Sequence, residues 1–345
     1  PLLLVVLVTP QYWTGMRGRP SSRAQASRPT PVPWYPILVT EQVKLASGGR
    51  GRVEACGRNS GGSDGAEGGR NLSGAGSGGF LKCGPGPGRS RGSTPVGEFE
   101  RFKKLTFEDF RRLARDPGAS RYEKIGFPDA YREGKEGRIF EDILSKLGNL
   151  RKERQVVLEV GPGCGSLPHL LIEHCGRQGH RLVLVDSEEM LGLLPDAPFV
   201  RKVPAYFPRD CRWLIEEYAG KVDAVLTYSV LHHVFAEGNV FDFLDASLQL
   251  LAEGGEMLIG DVPNVSKRKR FFCSPRGVRF HQEFTGSDEV PAVAFNALEA
   301  GKIDDAVIAA LLLRCRLCGY DAYWLPQPDD LPMANRREDI LIRRP

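Results

Sequence analysis

From Gln155 onward, short apolar runs alternate with segments whose apolar residues recur every three or four positions. The pattern predicts strands at 155–160, 181–186 and 199–203 and over VDAVLTYS and EMLIGDVP. Helices are predicted at about 165–176, 239–252 and 303–318. Strands and helices in strict alternation bury best as a parallel sheet covered on both faces. After Gly319, the runs YDAYWLP and EDILIRR predict a closing hairpin, and Glu253-Gly254-Gly255 reads as a helix stop before the fifth strand. Upstream, Phe102, Leu105, Phe110 and Leu113 stand near helical spacing ahead of the Asp116-Pro117-Gly118 stop, and a further helix is expected over about 136–147. The fold class expected is therefore α/β. A helical cap at 99–150 precedes a domain at 151–345, and a long insertion at about 262–301 reads as a lid.

Composition changes this picture only before residue 99. The chain has 345 residues and 41% hydrophobic content, enough for a real core. About half of its 40 glycines fall in residues 1–98, in tracts such as GGSDGAEGG that bury too little apolar surface to offset ordering entropy; this stretch is expected to be a disordered tail. It carries twelve basic and five acidic residues, whereas the chain as a whole has a net charge of +4, so the remainder is mildly acidic. No basic face on the folded part argues for nucleic acid. The opening PLLLVVLV is far shorter than the ~20 residues that span a bilayer, and no membrane insertion is expected. Eight scattered cysteines lack the density of a secreted disulfide scaffold, which suits a reducing, cytoplasmic setting. The Cys315-x-x-Cys318 pair sits within a helical pattern and reads as structural, with no metal expected.

The chemistry concentrates in QVVLEVGPGCGSLPHLL. A strand runs into Gly161, Gly163 and Gly165 and then into a helix, and glycines allow such a turn to approach a ligand closely. A dinucleotide fingerprint would need glycine at 166, where this chain has Ser166. Asp186 ends the second strand, where a carboxylate can accept hydrogen bonds from both hydroxyls of a ribose.

The spacing acidic-x-G-x-G-x-G, opened by Glu159, resembles the first motif of class I S-adenosylmethionine (SAM) dependent methyltransferases. DSEEML after the second strand and VLHHV after the fourth are similar to later motifs of that family, and the reversed terminal hairpin is its hallmark. The resemblance covers about residues 155–345 and implies a Rossmann-like, seven-stranded, mostly parallel sheet with a reversed C-terminal strand. It implies SAM as cofactor, held by Glu159, Gly161, Gly163, Gly165, Asp186, Ser187 and Met190, with Ala205 and Tyr206 near the adenine. Tyr228 and Ser229 would stand near the reacting methyl group. The family's usual acidic adenine contact is replaced by Ala205-Tyr206-Phe207. The cap of such enzymes covers the cofactor, which makes Tyr122, Tyr131 and Arg138 candidates for the roof.

His232 and His233 follow the fourth strand, and imidazole is the usual base at neutral pH. Their side chains diverge by roughly 100° on a helix, so at most one faces the site. With Tyr228 they are the catalytic candidates, and packing is the competing role for each. In the insertion, Lys267, Arg268, Lys269, Arg270 and Arg276 beside Phe271 and Phe272 suit either a clamp on an anionic acceptor or a solvated basic run. The function expected is methyl transfer from SAM to a small-molecule acceptor. The C-terminal half is similar, more loosely, to methyltransferases of bacterial cell-surface sugar and glycoconjugate pathways, which implies a sugar or nucleotide-sugar hydroxyl. Two alternatives stay open: a non-catalytic binding or scaffold protein on the same fold, and a nicotinamide-dependent oxidoreductase. The oligomeric state is not legible.

Overall fold

Strand β1 (Val156–Val160) is buried along its whole length, and its apolar side chains are shared between two cores. Val156, Leu158 and Val160 point to one face of the sheet and Val157 to the other, as the two-residue period of a strand requires. The computed structural model describes residues 102, 105–297 and 299–345. The expected tail at 1–98 lies outside the described residues.

Seven strands form one sheet in the order β3-β2-β1-β4-β5-β7-β6. They are β1, β2 (Arg181–Asp186), β3 (Val200–Pro204), β4 (Val222–Tyr228), β5 (Leu251–Pro263), β6 (Asp321–Pro326) and β7 (Arg337–Arg343). The strands β1 to β5 pair in parallel, whereas β7 runs antiparallel to both β5 and β6. This is the mostly parallel, Rossmann-like sheet with a reversed C-terminal strand that the sequence led us to expect.

Cap helix α1 (Phe107–Arg115) is followed by a 3-10 turn at Glu123–Ile125, by α2 (Asp129–Arg132) and by α3 (Glu136–Lys146). Helix α1 starts later than its apolar spacing suggests because Thr106 caps it: the Thr106 hydroxyl accepts from the Asp109 N–H and the Asp109 carboxylate accepts from the Thr106 N–H. The sheet is then flanked by α4 (Ser166–Gln178), α5 (Glu188–Leu191), α6 (Arg212–Tyr218), α7 (Leu231–Glu237), α8 (Val240–Leu250) and α11 (Asp305–Leu317). Helices α3 and α4 close the core around Val157, Leu184 and Leu226. Helices α7, α8 and α11 close the larger core around Leu158, Val225 and Ile259.

Two expectations are corrected. The Glu253-Gly254-Gly255 step is not a helix stop, because α8 ends at Leu250 and β5 already begins at Leu251. The three residues form an outward irregularity within the long strand, where pairing jumps from Val222 opposite Leu251 to Ala224 opposite Glu256. The insertion is not a structureless loop. It folds α9 (Val265–Phe272), capped by Asn264, and α10 (Pro275–Thr285), capped by Ser274 with proline in the first turn and closed by left-handed Gly286. Cys315 is buried in the core and Cys318 caps α11 from an exposed position, and no group of three or more metal-type ligands occurs among the described residues. No helix of the described residues is long and apolar enough to cross a membrane.

Candidate functional site

In an open α/β sheet the loops at the carboxyl ends of strands diverge where the strand order reverses, leaving a crevice. Here β1 sits between β2 and β4, and a cleft of about 1050 Å³, solvent at its mouth included, opens above their carboxyl ends. Gly161, Gly163 and Gly165 from the β1–α4 turn form one wall. Gly161 and Gly163 have φ of +71° and +64°, conformations that side chains resist. A Cβ on Gly161 would lie 2.6 Å from Val230 Cγ2, and one on Gly163 2.7 Å from Ile125 Cγ2. Close packing thus requires glycine here as strongly as the backbone angles do.

Asp186 lies at the end of β2 and lines the same cleft. The Gly163 N–H donates to its Oδ2 at 3.0 Å and the Ser187 N–H to its Oδ1 at 2.6 Å, so the carboxylate and the glycine turn hold each other. Burial pushes its pKa up to about 6 against the pull of those two N–H bonds. Met190, Ala205, Tyr206 and Phe207 continue the wall as an apolar and aromatic slot. Ser187 lies outside the lining; its hydroxyl caps α5 by accepting from the Met190 N–H. Glu159 also lies beneath the lining. Its Oε2 is buried without a partner, and burial, with Asp186 nearby, pushes its carboxyl up to about 8.

The cap supplies the opposite wall through Phe107, Phe110, Ile125, Phe127, Arg132 and Glu136. Tyr122 donates its hydroxyl to Glu136 Oε2 at 3.0 Å, and Glu136 Oε1 receives the Ser166 N–H at the start of α4. Tyr122 therefore braces the roof through Glu136. Tyr131 and Arg138 do not line the cleft, and Arg138 pairs with Asp330 at 2.7 Å. Ion pairs from Arg111 and Arg115 to Glu189 fasten α1 to α5.

Tyr228 and Ser229 lie at the end of β4 and line the cleft. The Tyr228 hydroxyl is buried beside Gln327, and burial pushes its pKa well above the usual phenol value. Ser229 has φ of +61°, and Asp261, on neighbouring β5, has φ of +57°. Two non-glycine residues in the left-handed region thus lie side by side at this end of the sheet, a backbone conformation that costs energy to hold. Of the two histidines, His233 lines the cleft with its ring edge-on to Phe110 at 4.9 Å. Burial pushes it down to about 4, so it is neutral at physiological pH. His232 is outside the lining, and its buried Nδ1 has no partner.

The five basic residues of the insertion are turned to structural use. Arg268 and Lys269 pair with Glu299, Arg270 with Asp305, Arg276 with Asp329, and Lys267 reaches Glu338 at 3.7 Å and the Arg337 carbonyl at 2.8 Å. None lines the cleft. The charged lining residues that sequence reasoning missed are Glu136, Glu237 and Arg132, the last 4% exposed in the cleft wall.

Solved structures that resemble this chain are methyltransferases. The plantazolicin methyltransferase BpumL in complex with SAH is 13% identical with a TM-score of 0.41, covering 72% of this chain and 98% of that one. An O-methyltransferase family protein from Burkholderia thailandensis is 18% identical with a TM-score of 0.42, over 72% of this chain and 66% of that one. The CurJ carbon methyltransferase is 14% identical with a TM-score of 0.41, and the match takes in 63% of this chain but only 57% of that one. No family model and no curated protein matches the sequence. At these scores the likenesses remain similarities, and the strand order of the chain itself is what defines its architecture.

Proposed function

We propose that the protein is a SAM-dependent methyltransferase acting on a small-molecule acceptor. The observation that carries this reading is the coupling of the glycine turn to Asp186 on the floor of a roofed cleft: the Gly163 N–H bonds the same carboxylate that faces the ligand space. That arrangement suits an adenosine, with the ribose hydroxyls donating to Asp186 and the ring between Met190, Ala205 and Phe207. When bound, SAM supplies a methyl group on a positively charged sulfur, and a nucleophile displaces the sulfur as a neutral thioether.

The protein's own contribution is then alignment and exclusion of water. Phe110 and Phe127 of the cap and Tyr228 of β4 enclose the space beyond the adenosine slot in aromatic surface. Asp186 and Glu136 add negative charge to a wall facing a cationic cofactor. Neutral His233 is able to accept a proton from an acceptor hydroxyl; its low pKa makes it a weak base, suited to a proton released late in the displacement. A hydroxyl is the acceptor group this reading favours. The setting proposed is cytoplasmic.

Thermal shift with SAM, S-adenosylhomocysteine (SAH), NAD and NADP tests the cofactor. Stabilisation by SAM and SAH alone is expected, and stabilisation by NAD(H) without SAM would overturn the reading. SAH binding without methyl transfer to any hydroxyl, amine or carbon acceptor would instead indicate a binding protein.

A further inference from the structure

Among the described residues, Arg132 is the sole lysine or arginine in the lining of the cleft. It comes from the cap helix α2, yet its guanidinium is inserted between the ends of β4 and β5. Nη2 donates to Ser229 Oγ at 2.6 Å and to Asp261 Oδ2 at 3.0 Å. The group lies over the Phe127 ring at 4.3 Å and faces the Tyr228 ring at 5.6 Å. Its Nε N–H is buried and has no acceptor. A guanidinium offers five N–H donors in a fixed plane, and a buried donor without a partner is costly to keep. Nη2 makes both hydrogen bonds, so Nε and Nη1 keep donors for a ligand, on a guanidinium packed against two aromatic rings.

The position also separates this donor from the cofactor's half of the cleft. Asp186 and the glycine turn stand over β1 and β2, whereas Arg132 stands over β4 and β5. Three carboxylates share the cleft with it, and each is already engaged: Asp186 by two backbone N–H groups, Glu136 by Tyr122 and Ser166, and Glu237 by the Phe107 N–H. Asp261 in turn is shared with Ser229, which donates its hydroxyl to it, and with Arg337, whose Nη1 donates to the Asp261 carbonyl at 3.1 Å. Arg132 is thus positioned without being fully used.

We propose that Arg132 is the acceptor-recognition residue of the cleft, and that it receives a carboxylate carried by the acceptor beside the nucleophile to be methylated. This rests on the methyltransferase reading above. It moves anion recognition from the basic run of the insertion, whose members are paired elsewhere, to a single arginine delivered by the cap. Phe127 and Tyr228 around the guanidinium favour an acceptor whose carboxylate is attached to a flat or apolar group.

The test uses the full chain saturated with SAH, which first establishes that the cofactor half binds; absence of SAH binding would count against the methyltransferase reading and not specifically against Arg132. Benzoate, phenylacetate and hexanoate are then titrated by calorimetry, each against its primary amide. At least one carboxylate should bind ten or more times tighter than its amide, and Arg132→Met should abolish that preference while leaving the affinity for SAH and for 5′-methylthioadenosine unchanged. Arg132→Lys should retain part of it. Because Arg132→Met leaves Asp261 buried without its main partner, the double variant Arg132→Met with Asp261→Asn removes both charges and should show the same loss. Equal binding of acids and amides by the wild-type protein would overturn the proposal. So would a variant that loses SAH affinity but keeps that for 5′-methylthioadenosine, since Arg132 would then hold the cofactor's own carboxylate.

Discussion

At the scale of single residues, Asp186 and His233 make opposite uses of burial. Burial raises the Asp186 carboxyl to about 6, while donors from a bound ribose favour its ionised form. SAH affinity should therefore fall as pH drops below about 6, by at most tenfold per unit, and Asp186→Asn should remove that dependence. Asp186→Ala should weaken SAH binding by about 1–3 kcal/mol in calorimetry, the cost of leaving two hydroxyls without a charged acceptor. Burial holds His233 near 4, so a rate profile should show no imidazole inflection between pH 6 and 8. Replacing His233 by Ala should lower the methylation rate with SAH affinity unchanged, and His232→Ala should do less because His232 is outside the cleft. Equal rates in both variants would return both histidines to packing. The adjacent pair was legible in the sequence, and only the register of α7 decides which ring meets the ligand.

Among the elements, the insertion was the hardest to anticipate and is the most instructive. Its basic run suggested a solvated or clamping loop, because charge dominates the pattern over 267–270. What organises it is capping and distant acids. The Asn264 carbonyl oxygen accepts from the Lys267 N–H, and its amide donates to Asp305 at 2.7 Å and to Glu338 at 2.5 Å, tying α9 to α11 and β7 in one side chain. Asn264→Ala should cost about 2–3 kcal/mol in denaturant titration, since a cap is lost and two carboxylates lose a donor together. Asn264→Asp keeps the cap acceptor but adds a third negative charge, and should not rescue. Strand β1 and its glycine turn were readable because their signals are local. Arg132 was not readable, because its partner Asp261 is 129 residues away and only the fold brings them together.

For the molecule as a whole, the buried carboxyl under the glycine turn sets a pH dependence of stability. Glu159 is raised by burial from an ordinary value of 4.5 to about 8, so the folded protein holds a proton that the unfolded chain releases. Its contribution is fully present below about pH 4.5 and is lost as pH rises through about 8, with a slope approaching 1.4 kcal/mol per unit between them. Glu159→Gln should flatten that slope and stabilise the protein at pH 7 by roughly 3 kcal/mol, read from urea midpoints across pH 5 to 8. An unchanged slope would mean that Glu159 is ionised in the fold.

Strand β7 follows every other strand in the sequence yet lies inside the sheet, between β5 and β6. During synthesis, β1 to β5 leave the ribosome with the glycine turn and Asp186 already in hand, but β5 then carries an open, apolar edge, and β6, which pairs only with β7 among the described strands, has nothing to join. A nascent chain arrested before Arg337 holds nearly all of the ligand cleft and still cannot close its sheet. Such chains should aggregate or be held by chaperones, whereas chains released after Arg343 should be soluble, a contrast that arrest-peptide fusions at 336 and 345 would read directly.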